Sequence, residues 1–228
     1  FSPSKFNPMK YNPLRDIIVE QVDFDNVCGC DQMKVFVAAT NAETGRVKIF
    51  DRAELTPDMV MASACLPFLF EAVEVDGVPY WDGGYSGNPP LFPFYHTTES
   101  RDILIVQVNP VEREGSPTSA QEILNRTNEI TFNASLLKEL RALAFVKRLI
   151  HEGHLDPKNY RDMLVHIIDS QDLLKPLGAS SKLNAEWDFL CHLRDLGRKR
   201  AQDWIEQHYD DIGKQDSVDL RAMFEGTH

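Results

Sequence analysis

The spacing of apolar positions changes several times along the chain, and each change marks an element. Asn12-Pro13-Leu14 opens a short helix, with Asn12 as N-cap and Pro13 at the first helical position, where its missing N–H costs nothing. Leu14, Ile17, Ile18 and Val22 then fall on one face. Residues 34–40 (Lys-Val-Phe-Val-Ala-Ala-Thr) form a short apolar run of the buried-strand type. A turn at Glu43-Thr44-Gly45 leads into residues 46–50, which alternate polar and apolar as a half-buried hairpin partner should. Thr56-Pro57-Asp58 starts a second helix carrying Met59, Val60, Ala62 and Ser63, and Pro67 stops it. Val73, Val75, Val78 and Tyr80 flank Asp76-Gly77, a dipeptide suited to a type I′ hairpin turn.

In the second half, residues 103–108 (Ile-Leu-Ile-Val-Gln-Val) are the most strand-like segment, and their continuous apolarity predicts a strand covered on both faces. A long helical pattern runs from 119 to about 152. Ser119 and Glu122 are spaced as a capping box, Gly153 follows the end, and Ile123, Ile130, Leu137, Leu140 and Ala144 form the expected inner stripe. Val165-His166-Ile167-Ile168 reads as the last strand, and a final helix is expected over about 184–209, with Gly197 as the point where it could break. Strands separated by helices predict an α/β layered fold, a helix-flanked central sheet. With no repeat, low-complexity tract or clear linker after residue 30, one domain over 1–228 is expected, and residues 141–228 read as helical support.

Composition narrows the function. The 228 residues are 43% apolar, which suits a globular chain with a real core. A formal net charge of −11 argues against nucleic acid, or an anionic membrane, as an electrostatically driven partner. No apolar run approaches the roughly 18 residues a bilayer span requires, and no signal-peptide pattern occurs. The chain opens on Phe1, with prolines at 3, 8 and 13, so its first thirteen residues read as a connecting loop with an N-terminal part expected before them. The cysteines are Cys28, Cys30, Cys65 and Cys191. Cys28-Gly29-Cys30 has no second pair at a metal-binding spacing, so no metal is expected, and reduced thiols in a cytoplasm-like compartment are the plainer reading.

The chemistry concentrates between Ala62 and Pro90. Trp81-Asp82-Gly83-Gly84 places one carboxylate on a turn whose glycines adopt conformations other residues avoid. The bland reading of Asp82 is a turn residue, since Asp-Gly is a common turn dipeptide. Asn88 either orients this loop or caps the segment entering Pro89. Ser86 reads as a hydroxyl bonded to the local backbone rather than as a nucleophile. Phe68, Phe70, Leu91, Phe92 and Phe94 are core residues first and candidates for lining an acyl-chain pocket second. None of the histidines (His96, His151, His154, His166, His192, His208, His228) has a motif around it; His166 sits in a strand pattern and reads as a satisfied core residue. Arg198-Lys199-Arg200 is a solvated helix face.

Ala62-Ser63-Ala64-Cys65-Leu66-Pro67, then Trp81-Asp82-Gly83-Gly84 and Asn88-Pro89-Pro90, preceded by the residue 36–40 strand and the Thr44-Gly45 turn, together resemble the patatin-like phospholipase family. The similarity runs from about Pro13 to Leu140. It implies a three-layer α/β/α fold and a serine acyl hydrolase working through a Ser–Asp dyad, with Asp82 as the aspartate and Gly83 and Gly84 shaping its turn. It implies a phospholipid or other acyl-ester substrate, transient contact with a membrane surface, and no cofactor.

The family's nucleophile lies in Gly-x-Ser-x-Gly, and no such motif, nor a glycine-rich oxyanion loop, occurs in these residues. Gly84-Tyr85-Ser86-Gly87 has the wrong spacing. The expectation is therefore the aspartate-bearing part of the domain, lacking the N-terminal strand–nucleophile–helix portion. It would be inactive alone and would need the N-terminal part of the same protein. The alternative is a non-catalytic patatin-like module that binds lipid or protein.

Overall fold

The computed structural model describes residues 11–169 and 184–225, together with positions 7, 9, 173, 177 and 181. It is a mixed α/β structure that divides into two compact units, Phe1–Pro93 and Phe94–His228. The connecting loop expected over residues 1–13 falls mostly outside the described residues.

In the first unit, helix α1 (Pro13–Gln21) starts where expected: Asn12 caps it, accepting from the Leu14 amide. Its apolar residues do not form an inner face, however. Leu14, Ile17, Val19 and Val22 are all exposed, and no residue of the helix is buried. Helix α2 (Phe24–Gly29) follows, capped by Asp23. The unit is built around a four-stranded antiparallel sheet of β1 (Phe36–Asn41), β2 (Val47–Asp51), β3 (Val73–Val75) and β4 (Val78–Asp82), in the order β2-β1-β4-β3. Helix α3 (Pro57–Ser63), capped by the Thr56 side chain, packs Met59 and Ala62 onto Ala39, Phe50, Val75 and Tyr80. Phe50 and Tyr80 meet edge to face at 5.5 Å. The β3–β4 turn is of the anticipated kind: Asp76 and Gly77 both take positive φ, 53° and 76°. A short helix α4 spans Phe92–Thr97.

The second unit holds a two-stranded parallel sheet, β5 (Asp102–Gln107) beside β6 (Leu164–Asp169), with Ile103 opposite Val165 and Ile105 opposite Ile167. Among the described residues the strands form two sheets, one in each unit, where one central sheet was expected. The expectation that β5 is covered on both faces is corrected. Ile103, Ile105 and Gln107 are buried, but Leu104 and Val106 on the other face are exposed, as is Val108 beyond the strand's end. Continuous apolarity reports what a strand tolerates, while cover depends on what packs against it.

Helix α5 (Ala120–His151) has the predicted capping box, Ser119 with Glu122, and stops before Gly153. Its inner stripe is also corrected. The buried positions are Asn133, Leu136, Leu140 and Leu143, whereas Ile123 and Ile130 are exposed. The first half of α5 is held by polar contacts instead. Arg113 forks onto Glu129 at 2.6–3.0 Å, Arg126 donates to the Val111 carbonyl, and Asn133 donates to the Pro110 carbonyl. Helix α6 (Trp187–His208) runs through Gly197 without a break. A last helix, α7 (Leu220–Glu225), packs against α5 and is capped by the Asp219 carboxylate, which accepts from the amides of Arg221 and Ala222.

Candidate functional site around Asp82

The hairpin turn sets the phase of β4, so Val78, Tyr80 and Asp82 share one side of the strand. Tyr80 enters the core, and Asp82, at the strand's end opposite Ala39, is half-buried beside it. The main chain of Asp82 is held on both sides. Its N–H donates to the Cys65 carbonyl, just past the end of α3, at 2.9 Å, and its carbonyl accepts from the Thr40 hydroxyl at 2.8 Å.

A 3₁₀ turn, Gly83–Tyr85, follows directly. A Cβ on Gly83 would lie 2.2 Å from the Ala38 carbonyl oxygen, so only glycine allows the turn to press this closely on β1. The Ser86 and Gly87 amides both donate back to the Gly83 carbonyl, at 3.1 and 2.9 Å. Gly84, expected only to shape the turn, does more: its N–H donates to Asp82 Oδ1 at 2.7 Å. Among the described residues Oδ2 accepts no hydrogen bond.

Burial pushes the Asp82 carboxyl above its ordinary 3.8, only partly countered by the Gly84 N–H. Two other titratable groups sense its charge. The Cys65 thiol, buried and donating to the Glu71 carbonyl at 3.1 Å, is raised by burial and then by Asp82. The Tyr85 phenol is raised by burial, by Asp82 and by Cys65. Both are raised above values that already lie above neutrality, so both are neutral at neutral pH.

Ser86 bonds to Thr40 Oγ1 at 2.8 Å, a side-chain contact 46 residues back along the chain rather than the local backbone bond expected of it. Asn88 is half-buried, and its peptide bond to Pro89 is cis. The apolar residues named as pocket candidates are dispersed. Phe70 lines a cavity of about 230 Å³ together with Met61, Cys65, Val73, Arg15 and Asp58. Phe68 is 79% exposed, Phe92 is exposed and Leu91 is buried, while the half-buried Phe94 belongs to the second unit. Among the described residues no cluster of side chains could hold a metal ion.

Residues 12–95 match the family model of patatin-like phospholipases. This segment is similar to that family. Its match takes in β1 to β4, α3 and the Asp82 turn, and it ends at Tyr95, short of the Leu140 to which the sequence resemblance was followed. No curated protein matches the chain. Patatin-like phospholipases act on lipid substrates, and the half-buried Asp82 turn lies inside the matched segment.

The turn around Asp82, Gly83 and Gly84 is marked in the sequence, whereas the bonds that Thr40 and Cys65 make to Asp82 are not. Thr40 read only as the end of a strand, and nothing local marks a hydroxyl that acts 42 residues downstream.

Proposed function

We propose that the chain is the aspartate-bearing part of a patatin-like lipid acyl hydrolase, a three-layer α/β/α domain completed by a segment outside these residues. That segment carries the nucleophilic serine and the oxyanion donors. The observation that carries this reading is the half-buried Asp82 carboxylate, with one oxygen held by the Gly84 N–H and the other accepting no hydrogen bond among the described residues, inside the segment that matches the family.

A serine hydroxyl is a weak nucleophile at neutral pH and needs an adjacent base. Asp82 Oδ2 takes the serine proton as the oxygen attacks the ester carbonyl, then returns it to the departing alcohol. It next takes a proton from the water that attacks the acyl-enzyme, and returns that proton to the serine oxygen as the fatty acid leaves. Because Gly84 fixes Oδ1, the carboxylate needs little reorganisation at either step. The free thiols of Cys28, Cys30, Cys65 and Cys191 support work in a reducing, cytoplasm-like compartment. Among the described residues no helix is long and apolar enough to cross a membrane, and membrane contact is proposed to be transient and at the surface.

Asp82→Asn in the protein that includes the nucleophile segment tests the dyad. Ester hydrolysis should fall by roughly 1000-fold or more while circular dichroism stays unchanged. A folded variant keeping most of its activity would overturn the reading. The absence of Gly-x-Ser-x-Gly from residues 1–228 favours a second reading, a lipid- or protein-binding module without catalysis. A serine-directed fluorophosphonate probe separates the two, since it labels the intact protein only if an activated serine is present.

A further inference from the structure

One side chain on β1 bonds to both ends of the Asp82 turn. Thr40 lies on β1, 5% exposed, opposite Trp81 of β4. Its Oγ1 is 2.8 Å from the Asp82 carbonyl oxygen and 2.8 Å from Ser86 Oγ. A carbonyl oxygen has no proton to give, so Thr40 donates to Asp82. A hydroxyl has a single proton, so at the second contact Thr40 accepts and Ser86 donates. The chain of donors therefore runs from Ser86 to Thr40 to Asp82. It ties the residue before the Gly83–Tyr85 turn and the residue after it to the same point on β1.

We infer that Thr40 is the positioning residue of the Asp82 carboxylate, its hydroxyl pinning both ends of the turn so that the carboxylate stays half-buried with Oδ2 open. The other restraints on Asp82, the Cys65 carbonyl and the Gly84 N–H, come from main chain and survive any side-chain change. Thr40 is a side-chain restraint, which substitution can remove. The same donor order commits the Ser86 proton, so Ser86 serves the turn and is not a nucleophile in waiting. The inference rests on the proposed dyad only where it concerns turnover; the placement of the carboxylate stands without it.

The test follows the Asp82 carboxyl carbon by NMR through a pH titration of the 228-residue protein, in wild type and in Thr40→Val, Thr40→Ser and Ser86→Ala. Among the described residues the titratable groups that sense the Asp82 charge beside it are the Cys65 thiol and the Tyr85 phenol, neither of which ionises in the acid range. In Thr40→Val the turn loosens and water reaches the carboxylate. Its midpoint should then move down toward 3.8. Thr40→Ser keeps the hydroxyl and should restore the wild-type midpoint.

In the hydrolase with its nucleophile segment, Thr40→Val should lower kcat by about 10- to 100-fold with KM within about twofold, and should move the acid limb of the rate profile to lower pH. A hydroxyl that only stabilised the fold would lower the melting temperature and leave the Asp82 midpoint and the acid limb where they were. That result overturns the inference. Should Thr40→Val not fold, Ser86→Ala decides: a smaller downward shift supports the staple, and an unchanged midpoint overturns it. If Asp82→Asn keeps its activity the dyad falls, whereas the midpoint shifts still judge Thr40.

Discussion

The carbonyl of Cys65 accepts the amide N–H of Asp82 at 2.9 Å, so the residue just past helix α3 grips the main chain of the candidate base. The same residue turns its thiol inward, where burial and then the Asp82 charge push its pKa up. Cys30 differs: backbone N–H groups of Gln32 and Met33 stabilise its thiolate and lower its pKa. Iodoacetamide should therefore modify Cys30 first in the native protein and reach Cys65 only on unfolding, a difference that peptide mass mapping over time will reveal. Labelling of Cys65 as fast as that of Cys30 would contradict this packing.

The pH dependence of stability should carry the mark of Asp82. Its folded-state pKa is raised above 3.8, so folding disfavours the ionised form. That cost is absent below the unfolded value, grows as the pH climbs from the unfolded to the folded value, and is complete above it. Asp82→Asn removes the charge while its amide oxygen can still accept from Gly84. The variant should melt at a higher temperature than wild type near neutrality, with the gap closing as the pH falls toward the acid range. Calorimetry across that range checks it; a gap that is constant with pH would contradict it.

Gly83→Ala should be the most damaging single-methyl change in the turn. The added Cβ meets backbone, the Ala38 oxygen at 2.2 Å and carbon at 2.6 Å, which cannot move aside without disturbing β1. An overpacking penalty of about 1–3 kcal/mol is expected in urea denaturation. Gly87→Ala meets Pro90 side-chain carbons at 3.0–3.2 Å and should cost less.

In the second unit, Lys147 ties three segments together: its ammonium meets Asp162 at 2.9 Å, Asp216 at 3.1 Å and the Met163 carbonyl at 2.8 Å. Asp216 in turn accepts from the Val165 amide on β6. Burial alone would raise the Asp162 carboxyl, but Lys147 and His151 outweigh it and hold it below its ordinary range. The stability this contributes is present above that range and lost as the pH falls through the lowered value. Lys147→Met leaves two partly buried carboxylates without their cation and should cost roughly 3 kcal/mol at neutral pH. The deficit should narrow on acidification. A variant equally destabilised at all pH values would rule out the electrostatic account.

What sequence made legible was local. Asn12 with Pro13, Thr56 with Pro57, Ser119 with Glu122, and Asp76 with Gly77 each announce an element through chemistry within a few residues, and all four are found where expected. Burial was less legible. Leu137 and Leu136 are adjacent on α5 and equally apolar, and only tertiary contact decides that Leu136 is the buried one. Leu104 and Val106 on β5 look like core residues and are exposed. At the site, Asp82 was visible because glycines follow it, while Thr40, bonded to it across 42 residues, carried no local sign of its role.

The hairpin at Asp76-Gly77 also limits which genetic changes this segment tolerates. Side chains alternate along β4, and Asp82 stands an even number of positions beyond Val78, on the Tyr80 side. Inserting or deleting one residue between the turn and Asp82 would send the carboxylate through to the opposite side of the sheet, even with every original side chain retained. Many point substitutions at Glu74 or Pro79 should be survivable, whereas a single-codon indel in this stretch should not. Reading-frame-preserving length, as much as residue identity, is what encodes the position of Asp82.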